Sequence, residues 1–315
     1  MENTIIEKSL QFLRLKIDQK EKKDMTKRPF ASTIEKISKN RRWHMRADLS
    51  NKNRIVVKIG TSSLIYPNGA INLAGIDELA FVLAALQNQG KEIILVSSGA
   101  IGVGMNKLNL KERPVEIPLQ QAVAAVGQSE LMTIYNQRFQ SYSQQTAQIL
   151  LTRDIIEFPQ SRQNVSNTLE QLLTMGIIPI INENDTVAVD ELDHLTKFGD
   201  NDQLSAIVAQ LTKAELLIML SDIDGFYSAN PLNDPDAVLY SEINEITPEL
   251  LEQATGKGSP YGTGGMTSKL KAAQRILDLN SHMLLANGKQ PKIIFDLLAG
   301  EPVGTHFYQR TEDEQ

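Results

Sequence analysis

The chain has 315 residues, of which 41% are hydrophobic and 22% charged, as in globular proteins with a sizeable buried core. The absence of cysteine excludes disulfides and thiolate chemistry and favours a reducing compartment, so we expect a cytoplasmic protein. The longest apolar runs are only as long as a strand, and we therefore expect no membrane span.

The N-terminal part of the chain differs in charge from the rest. Residues 1–53 contain 14 Lys and Arg against 7 Asp and Glu, a net charge of +7, whereas the remainder contains 18 against 31, a net charge of −13. We predict a basic extension over 1–53, partly disordered or helical, a folded domain over 54–310 and a short tail over 311–315. Nucleic-acid binding by the extension is the alternative to a solvated tail, and we expect no nucleic-acid partner.

The first predicted strand, residues 54–59, is apolar on both of its alternating faces except at Lys58. A buried ammonium group is costly unless an anion meets it. A lysine at the end of such a strand therefore indicates a polyanion at its carboxyl edge. Gly60 lets the backbone approach that anion. The alternative is a lysine that reaches from an edge strand into water.

The rest of the chain alternates strands with helices. Apolar runs predict strands at 92–96, 148–151, 177–181, 216–220, 282–285 and 304–307. Helical spacing of apolar residues predicts helices over 72–89, after 97–100, over 119–140, 161–175 and 204–211, and from about 269 to 279. The acidic segment 186–197 is interpreted as a surface loop, with a lid as one alternative.

This alternation predicts an α/β fold, a three-layer αβα sandwich around a central, mainly parallel sheet. In such a sheet ligands collect at the carboxyl ends of the strands. Those ends carry Lys58 with Gly60, Ser98, the run 182–185 and the pair Ser221 and Asp222. We therefore predict one site at this edge.

A glycine-rich segment, 262–269, resembles a phosphate-binding loop that opens a helix. It lacks the Walker A spacing, and no G-x-G-x-x-G fingerprint follows the first strand. Glycine pairs are also common in plain turns. The segment gains weight because Lys269 offers a second cation to pair with Lys58.

Two acidic and amide-rich runs, 182–185 and 199–202, lie at predicted strand and helix ends. Their aspartates suit helix capping or exposure to solvent, Asp200 in particular. Together the runs also offer carboxylates for an ammonium group and amides for a carboxylate, which favours a small zwitterionic ligand.

Seven motifs of the chain resemble, in the same order, those of the glutamate-phosphorylating members of the amino acid kinase family. They are Val-Val-Lys-Ile-Gly-Thr-Ser (56–62), Val-Ser-Ser-Gly-Ala (96–100), Ala-Val-Gly-Gln (125–128), Ile-Asn-Glu-Asn-Asp (181–185), Phe-Gly-Asp-Asn-Asp (198–202), Ser-Asp-Ile-Asp-Gly (221–225) and Gly-Thr-Gly-Gly-Met-Thr-Ser-Lys (262–269). The first and last are shared loosely across the family, and the fourth and fifth are specific to the glutamate enzymes. The resemblance covers about residues 54–309.

The resemblance implies ATP-dependent phosphorylation of the γ-carboxylate of L-glutamate to L-glutamyl 5-phosphate, the first step of proline biosynthesis. It implies catalytic roles for Lys58, Lys269 and Asp202, with the carboxylate between the two lysines, and a backbone donor at Gly60. The glutamate-binding positions match Ser98, Asp185 and Asn201. The nucleotide-binding positions match Lys58, Gly60, Ser221, Asp222, Thr263, Gly264, Gly265, Met266, Thr267, Ser268 and Lys269.

The resemblance also implies Mg²⁺ as cofactor, carried by the ATP phosphates without a direct protein ligand. It implies proline as a feedback inhibitor, a homo-oligomer, and transfer of the product to glutamate-5-semialdehyde dehydrogenase. Larger members of the family carry a C-terminal PUA domain, which we do not expect here. Residues 1–53 have no counterpart in the family.

Two other interpretations stay open. The first is a kinase of the same fold that acts on aspartate, acetylglutamate, carbamate or a nucleoside monophosphate. The second is a non-catalytic amino-acid sensor built on the kinase scaffold. The presence of Lys58, Lys269 and Asp202 is evidence against a sensor, because binding alone needs no neutralisation of transition-state charge.

Overall fold

The computed structural model describes residues 46–152, 158–187, 201–231, 233–255 and 265–310. These residues form an eight-stranded sheet in the order β3-β4-β2-β1-β5-β7-β8-β6. The strands are β1 (Arg54–Ile59), β2 (Glu92–Val96), β3 (Thr146–Leu151), β4 (Ile178–Glu183), β5 (Leu216–Ser221), β6 (Glu242–Ile243), β7 (His282–Asn287) and β8 (Thr305–Phe307). All neighbouring strands pair in parallel except β7 and β8, which are antiparallel.

The described helices connect these strands on both faces of the sheet. They are α1 (Thr61–Leu64), α2 (Leu73–Asn88), α3 (Ala100–Lys107), α4 (Ile117–Ser141), α5 (Pro159–Thr174), α6 (Asn201–Thr212), α7 (Pro248–Thr255), α8 (Gly265–Leu277) and α9 (Ile293–Leu298). None of the helices in the described ranges is long and apolar enough to cross a membrane.

The alternation of side chains along β1 creates two separate cores. Ile55, Val57 and Ile59 pack with residues of α2, α3, α4 and α9 on one face. Val56 packs with residues of α5, α6, α7 and α8 on the other. Because successive residues of a strand point to opposite faces, Lys58 shares the face of Val56. The predicted three-layer αβα sandwich is confirmed, and Lys58 faces the layer that contains α6 and α8.

Local sequence signals determine where several of these helices begin and end. The Asn72 side chain accepts a hydrogen bond from Gly75 N–H at 2.9 Å and so caps α2, as predicted. Beyond the other end of that helix, Gly90 adopts φ of +87°, which glycine reaches without steric cost.

Four short elements were not predicted, namely α1, α7, α9 and β6. They contain between two and eight residues, too few to show a helical or alternating period in the sequence. Packing against the sheet, rather than local pattern, determines them.

The predicted boundary at residue 53 is wrong for the last residues of the extension. Leu49 is only 2% exposed, and its N–H donates to Leu298 O at 3.0 Å. The Arg46 guanidinium donates to the carbonyl oxygens of Val303 and Gly304. Residues 46–53 therefore belong to the folded domain, because the Leu49 side chain is buried in it and Arg46 and Leu49 form hydrogen bonds with it. The predictions for 1–45, for most of the loop 186–197 and for 311–315 lie outside the described residues.

Candidate active site

Three charged side chains from distant parts of the chain meet beyond the carboxyl end of β1. Lys58 Nζ lies 2.6 Å from Asp202 Oδ1, and Lys269 Nζ lies 3.0 Å from Asp202 Oδ2. Asp202 is fully buried, and the two lysines are 5% and 9% exposed. Two ammonium groups thus share one carboxylate.

The fold explains why these three residues meet. Lys58 projects from β1 toward the layer of α6 and α8. Asp202 lies at the start of the described part of α6, and Lys269 lies one turn into α8. Lys269 Nζ also donates to Gly265 O at 3.2 Å, and Gln203 of α6 donates to Ser268 O at 2.6 Å, which joins the two helices.

The electrostatics of the cluster favour an additional anion. Burial would raise the pKa of Asp202, but the two ammonium groups more than offset this effect, and its pKa lies below the usual value. The carboxylate is therefore ionised at neutral pH and balances one of the two positive charges. The remaining positive charge, in a site with little solvent, suits a phosphate oxygen.

The expectation that Gly60 supplies a free backbone donor is wrong. Its N–H donates to Leu220 O at 3.2 Å, which continues the parallel pairing of β1 with β5 by one residue. Gly60 contributes space instead. A Cβ at this position would lie 3.7 Å from Lys58 Nζ and would occupy volume next to the ammonium group.

A second group of polar residues lies at the ends of β2 and β4. Asn201 Nδ2 donates to Ser97 O at 3.0 Å, to Ser98 Oγ at 2.7 Å and to Asn182 Oδ1 at 3.3 Å. Because Asn201 and Asp202 are consecutive, α6 links this group directly to the lysine cluster. Asp185 lies in the turn that follows β4 and is half-buried.

Apart from Lys58 and Gly60, the described residues that were predicted to bind the nucleotide lie at the end of β5 and in the first turns of α8. Ser221 is buried, and its Oγ donates to the carboxylate of exposed Asp222 at 3.0 Å. Met266 packs against the core, whereas the buried hydroxyl oxygens of Thr267 and Ser268 make no hydrogen bond to the described residues. Thr263 and Gly264 lie outside the described residues.

Two residues to which the sequence analysis gave no role, Ser97 and Gln128, also belong to this region. Ser97 accepts a hydrogen bond from Asn201 through its backbone, and Gln128 of α4 accepts one from Asn182 at 2.8 Å. Both residues lie inside motifs that the chain shares with the amino acid kinase family, and this was the one feature of the sequence that could have identified them. Their contacts join segments that are 54 or more residues apart in the chain, so spacing alone did not reveal them.

The donor set of the site fits a metal that arrives with a phosphate ligand. In the described ranges, no group of three or more His, Asp or Glu side chains is arranged to hold an ion. The fully buried carboxylate, Asp202, contacts two ammonium groups. The chemistry of these residues suits nucleotide phosphates, which supply the oxygen ligands that Mg²⁺ prefers.

A model of the amino acid kinase family matches residues 53–287. The chain therefore belongs to the amino acid kinase family. A relative from Enterococcus faecalis named glutamate 5-kinase is 70% identical over 263 residues, which cover 84% of this chain and 97% of the relative. Another protein of that name, from Listeria innocua, is 63% identical over 269 residues and covers 85% of this chain and 98% of the relative.

Solved structures of other kinases share the fold. The isopentenyl phosphate kinase of T. acidophilum aligns with a TM-score of 0.57 and 16% identity over 81% of this chain and 100% of its own. UMP kinase from Bacillus anthracis aligns with a TM-score of 0.55 and 14% identity over 82% of this chain and 97% of its own. At these identities the likeness shows the fold and leaves the acceptor open.

Proposed function

We propose that this protein transfers the γ-phosphoryl group of ATP to the γ-carboxylate of L-glutamate and forms L-glutamyl 5-phosphate and ADP. This reaction is the first step of proline biosynthesis. Relatives named glutamate 5-kinase at 60–70% identity support the choice of acceptor. The observation that carries the proposal is the shared ion pair of Lys58, Asp202 and Lys269 beside the amide group around Asn201.

The acceptor needs no general base. A glutamate γ-carboxylate has a pKa of about 4.3 and is already ionised at neutral pH. One of its oxygens attacks the γ-phosphorus of ATP, the new P–O bond forms on glutamate, and the bond to the β-phosphate oxygen breaks. The electron pair of that bond leaves with ADP. Catalysis then depends on in-line positioning and on stabilisation of charge.

The two lysines have the chemistry required for that stabilisation. In our proposal Lys58 and Lys269 neutralise the phosphate oxygens as charge develops on the transferring group. Asp202 holds both ammonium groups in place, since each lies within 3.0 Å of one of its oxygens. Lysines held in this way need little rearrangement at the moment of reaction, which lowers the barrier.

The remaining site residues are assigned by their position around this cluster. We assign glutamate binding to Ser98, Asp185 and Asn201 at the ends of β2, β4 and α6. We assign nucleotide binding to the lysines, Gly60, Ser221, Asp222 and residues 263–269. When bound, Mg²⁺ supplies positive charge to the phosphate oxygens.

Four further properties belong to the proposal. Proline acts as a feedback inhibitor that overlaps the glutamate site, and the protein assembles as a homo-oligomer. Glutamate-5-semialdehyde dehydrogenase receives the product. The reaction takes place in the cytoplasm, consistent with a chain that contains no cysteine.

An acceptor panel tests the proposal. ADP release is measured with ATP and Mg²⁺ and with glutamate, aspartate, acetylglutamate, carbamate or UMP as acceptor, each with and without proline. We expect the highest kcat/KM with glutamate and a loss of rate with proline. A higher kcat/KM with any other acceptor would overturn the choice of glutamate, and binding of glutamate without turnover would identify a sensor.

A further inference from the structure

A chain of buried amide groups runs from α4 to the candidate glutamate site. Asn182 Nδ2 donates to Gln128 Oε1 at 2.8 Å, and Asn201 Nδ2 donates to Asn182 Oδ1 at 3.3 Å. Gln128 is 7% exposed and Asn182 is 2% exposed. Groups this deeply buried exchange few hydrogen bonds with water, so their partners determine their orientation.

The partners of each amide in this series determine which way it faces. The Glu183 N–H can only donate, so it selects Asn182 Oδ1, and Gln128 Oε1 accepts from the nitrogen on the other side of the same amide, so that the two partners together orient Asn182. Asn182 Oδ1 and the carbonyl oxygen of Ser97 then select the nitrogen of the Asn201 amide. The side-chain oxygen of Asn201, Oδ1, therefore faces away from Ser97 and Asn182.

Asn201 Oδ1 is an acceptor that has no donor. It is buried and receives no hydrogen bond from the described part of the chain. An unpaired buried oxygen destabilises the protein, so a ligand that brings a donor is favoured. At neutral pH the α-ammonium group is the donor that glutamate offers, because both of its carboxylates only accept.

The position of Gln128 is fixed by close contact between two helices. A Cβ on Gly127 would lie 1.8 Å from Ala100 O, and one on Gly104 would lie 2.0 Å from Val123 O. The backbones of α3 and α4 therefore touch at the residues that follow the Ser98 loop. Gln128 follows Gly127 directly, so this contact fixes the position of its backbone.

We propose that Gln128 is a positioning residue that orients Asn182 and, through it, Asn201, so that Asn201 Oδ1 accepts a hydrogen bond from the α-ammonium group of glutamate. This inference rests on the proposed function and assigns its selectivity for an amino acid to the amide chain. Gln128 itself contacts Asn182 and acts through it.

The test compares Gln128→Met with wild type in steady-state assays of ADP release. Methionine fills a similar volume and provides no comparable acceptor for Asn182. We expect the KM for glutamate to rise about tenfold, because Asn182, one of the three acceptors that hold the Asn201 amide, is no longer fixed in place. The KM for ATP and kcat should change by less than about twofold, since the lysine cluster is untouched.

Glutarate, which lacks the ammonium group, separates positioning from general damage to the site. Its inhibition constant against glutamate should be the same in wild type and Gln128→Met. Gln128→Glu keeps an acceptor oxygen and should restore the KM for glutamate to within about threefold of wild type. Gln137→Met, at an exposed position of the same helix, is the matched control and should change nothing.

A KM for glutamate within twofold of wild type in Gln128→Met would overturn the inference. An equal rise in the glutarate inhibition constant would also overturn it, because the effect would then not depend on the ammonium group. If Gln128→Met does not fold, Gln128→Asn, which withdraws the acceptor by one methylene, replaces it in the same comparison. A wild-type protein without glutamate-dependent ADP release would instead overturn the proposed function.

Discussion

The two ends of β1 carry cations with opposite charge balance. Arg54, at the amino end, contacts Glu92 at 2.6 Å and Glu170 at 2.8 Å and also donates to Thr212 O. One cation therefore has two carboxylates. Toward the carboxyl end of the strand, Lys58 shares its carboxylate, Asp202, with Lys269. Two cations there have one carboxylate.

This difference separates a structural ion pair from a site. The hydrogen bond to Glu92 raises the pKa of Arg54, against the effect of burial, and its carboxylates leave no positive charge in excess. The lysine cluster keeps an excess positive charge at the edge where parallel sheets bind ligands. Charge balance, and not burial of a cation alone, therefore distinguishes the end of the strand to which we assign phosphate binding.

The largest effect is expected from Lys269→Ala. In our proposal Lys269 is one of two ammonium groups that stabilise the transferring phosphoryl group, so its removal should lower kcat by about a thousandfold. The KM for glutamate should change little, because the amide group around Asn201 is intact. Steady-state kinetics measure both quantities. Lys271→Ala, at an exposed position on the same helix, is the control, and equal losses in kcat and glutamate binding would contradict the role of Lys269.

Asp202→Asn should have the next largest effect, on stability. It leaves two nearly buried ammonium groups without a carboxylate, and we expect the free energy of unfolding at pH 7 to fall by about 3 kcal/mol. Urea denaturation measures this difference. The difference in stability between wild type and the variant should shrink as the pH falls below the usual Asp pKa of 3.8. Because the pKa of Asp202 is lowered in the folded state, the ionised carboxylate stabilises wild type above that pH, and this stabilisation is lost as the pH falls toward the folded-state pKa. A difference that is constant from pH 7 to pH 3 would contradict the pairing.

Arg54→Met sharpens the comparison from the other end of the strand. It removes a partly exposed ion pair and should lower the free energy of unfolding by about 1–2 kcal/mol. Both kcat and the two KM values should equal those of wild type, since this end of the sheet contacts no substrate in our proposal. A tenfold loss of kcat would show that the two ends are not functionally distinct.

The smallest effect is expected from Lys107→Ala. Lys107 contacts Glu130 at 2.9 Å, but its side chain is 55% exposed, and water already solvates the pair. The free energy of unfolding should change by less than about 0.5 kcal/mol. A loss as large as that of Arg54→Met would mean that exposure is a poor guide to the strength of these ion pairs.

Much of the fold could be predicted from the sequence because apolar runs mark its strands and apolar residues at helical spacing mark its longer helices. The strands β1, β2, β4 and β5 are short apolar runs, and α2 and α4 show buried stripes at helical spacing. The elements β6 and α9 could not be predicted, because two or six residues show no period and form only through contact with neighbours.

The resemblance predicted that Asp202 lies between Lys58 and Lys269, which the two ion pairs confirm, but the amide contacts around Asn201 were not predicted. Lys58 could be selected because a lysine is costly inside a buried strand, and Lys269 because it follows a glycine-rich segment. The resemblance predicted that the Gly60 N–H donates to a ligand, whereas in the structure it donates to Leu220 O. The pairing of β1 with β5 extends one residue farther than the apolar run indicates. The contact of Gln128 with Asn182 depends on helix packing between distant segments and left no local signal.

The most direct test is phosphoryl transfer to glutamate by a variant in which the charged cluster is replaced by apolar residues, Lys58→Met, Asp202→Leu and Lys269→Met. Replacing a buried ion cluster by apolar side chains of similar volume is often neutral for stability, so this variant should fold with a urea midpoint close to that of wild type. We predict a folded protein with no transfer above the rate in buffer. Transfer within tenfold of the wild-type rate by the folded variant would contradict the claim that two lysines held by one carboxylate drive the reaction.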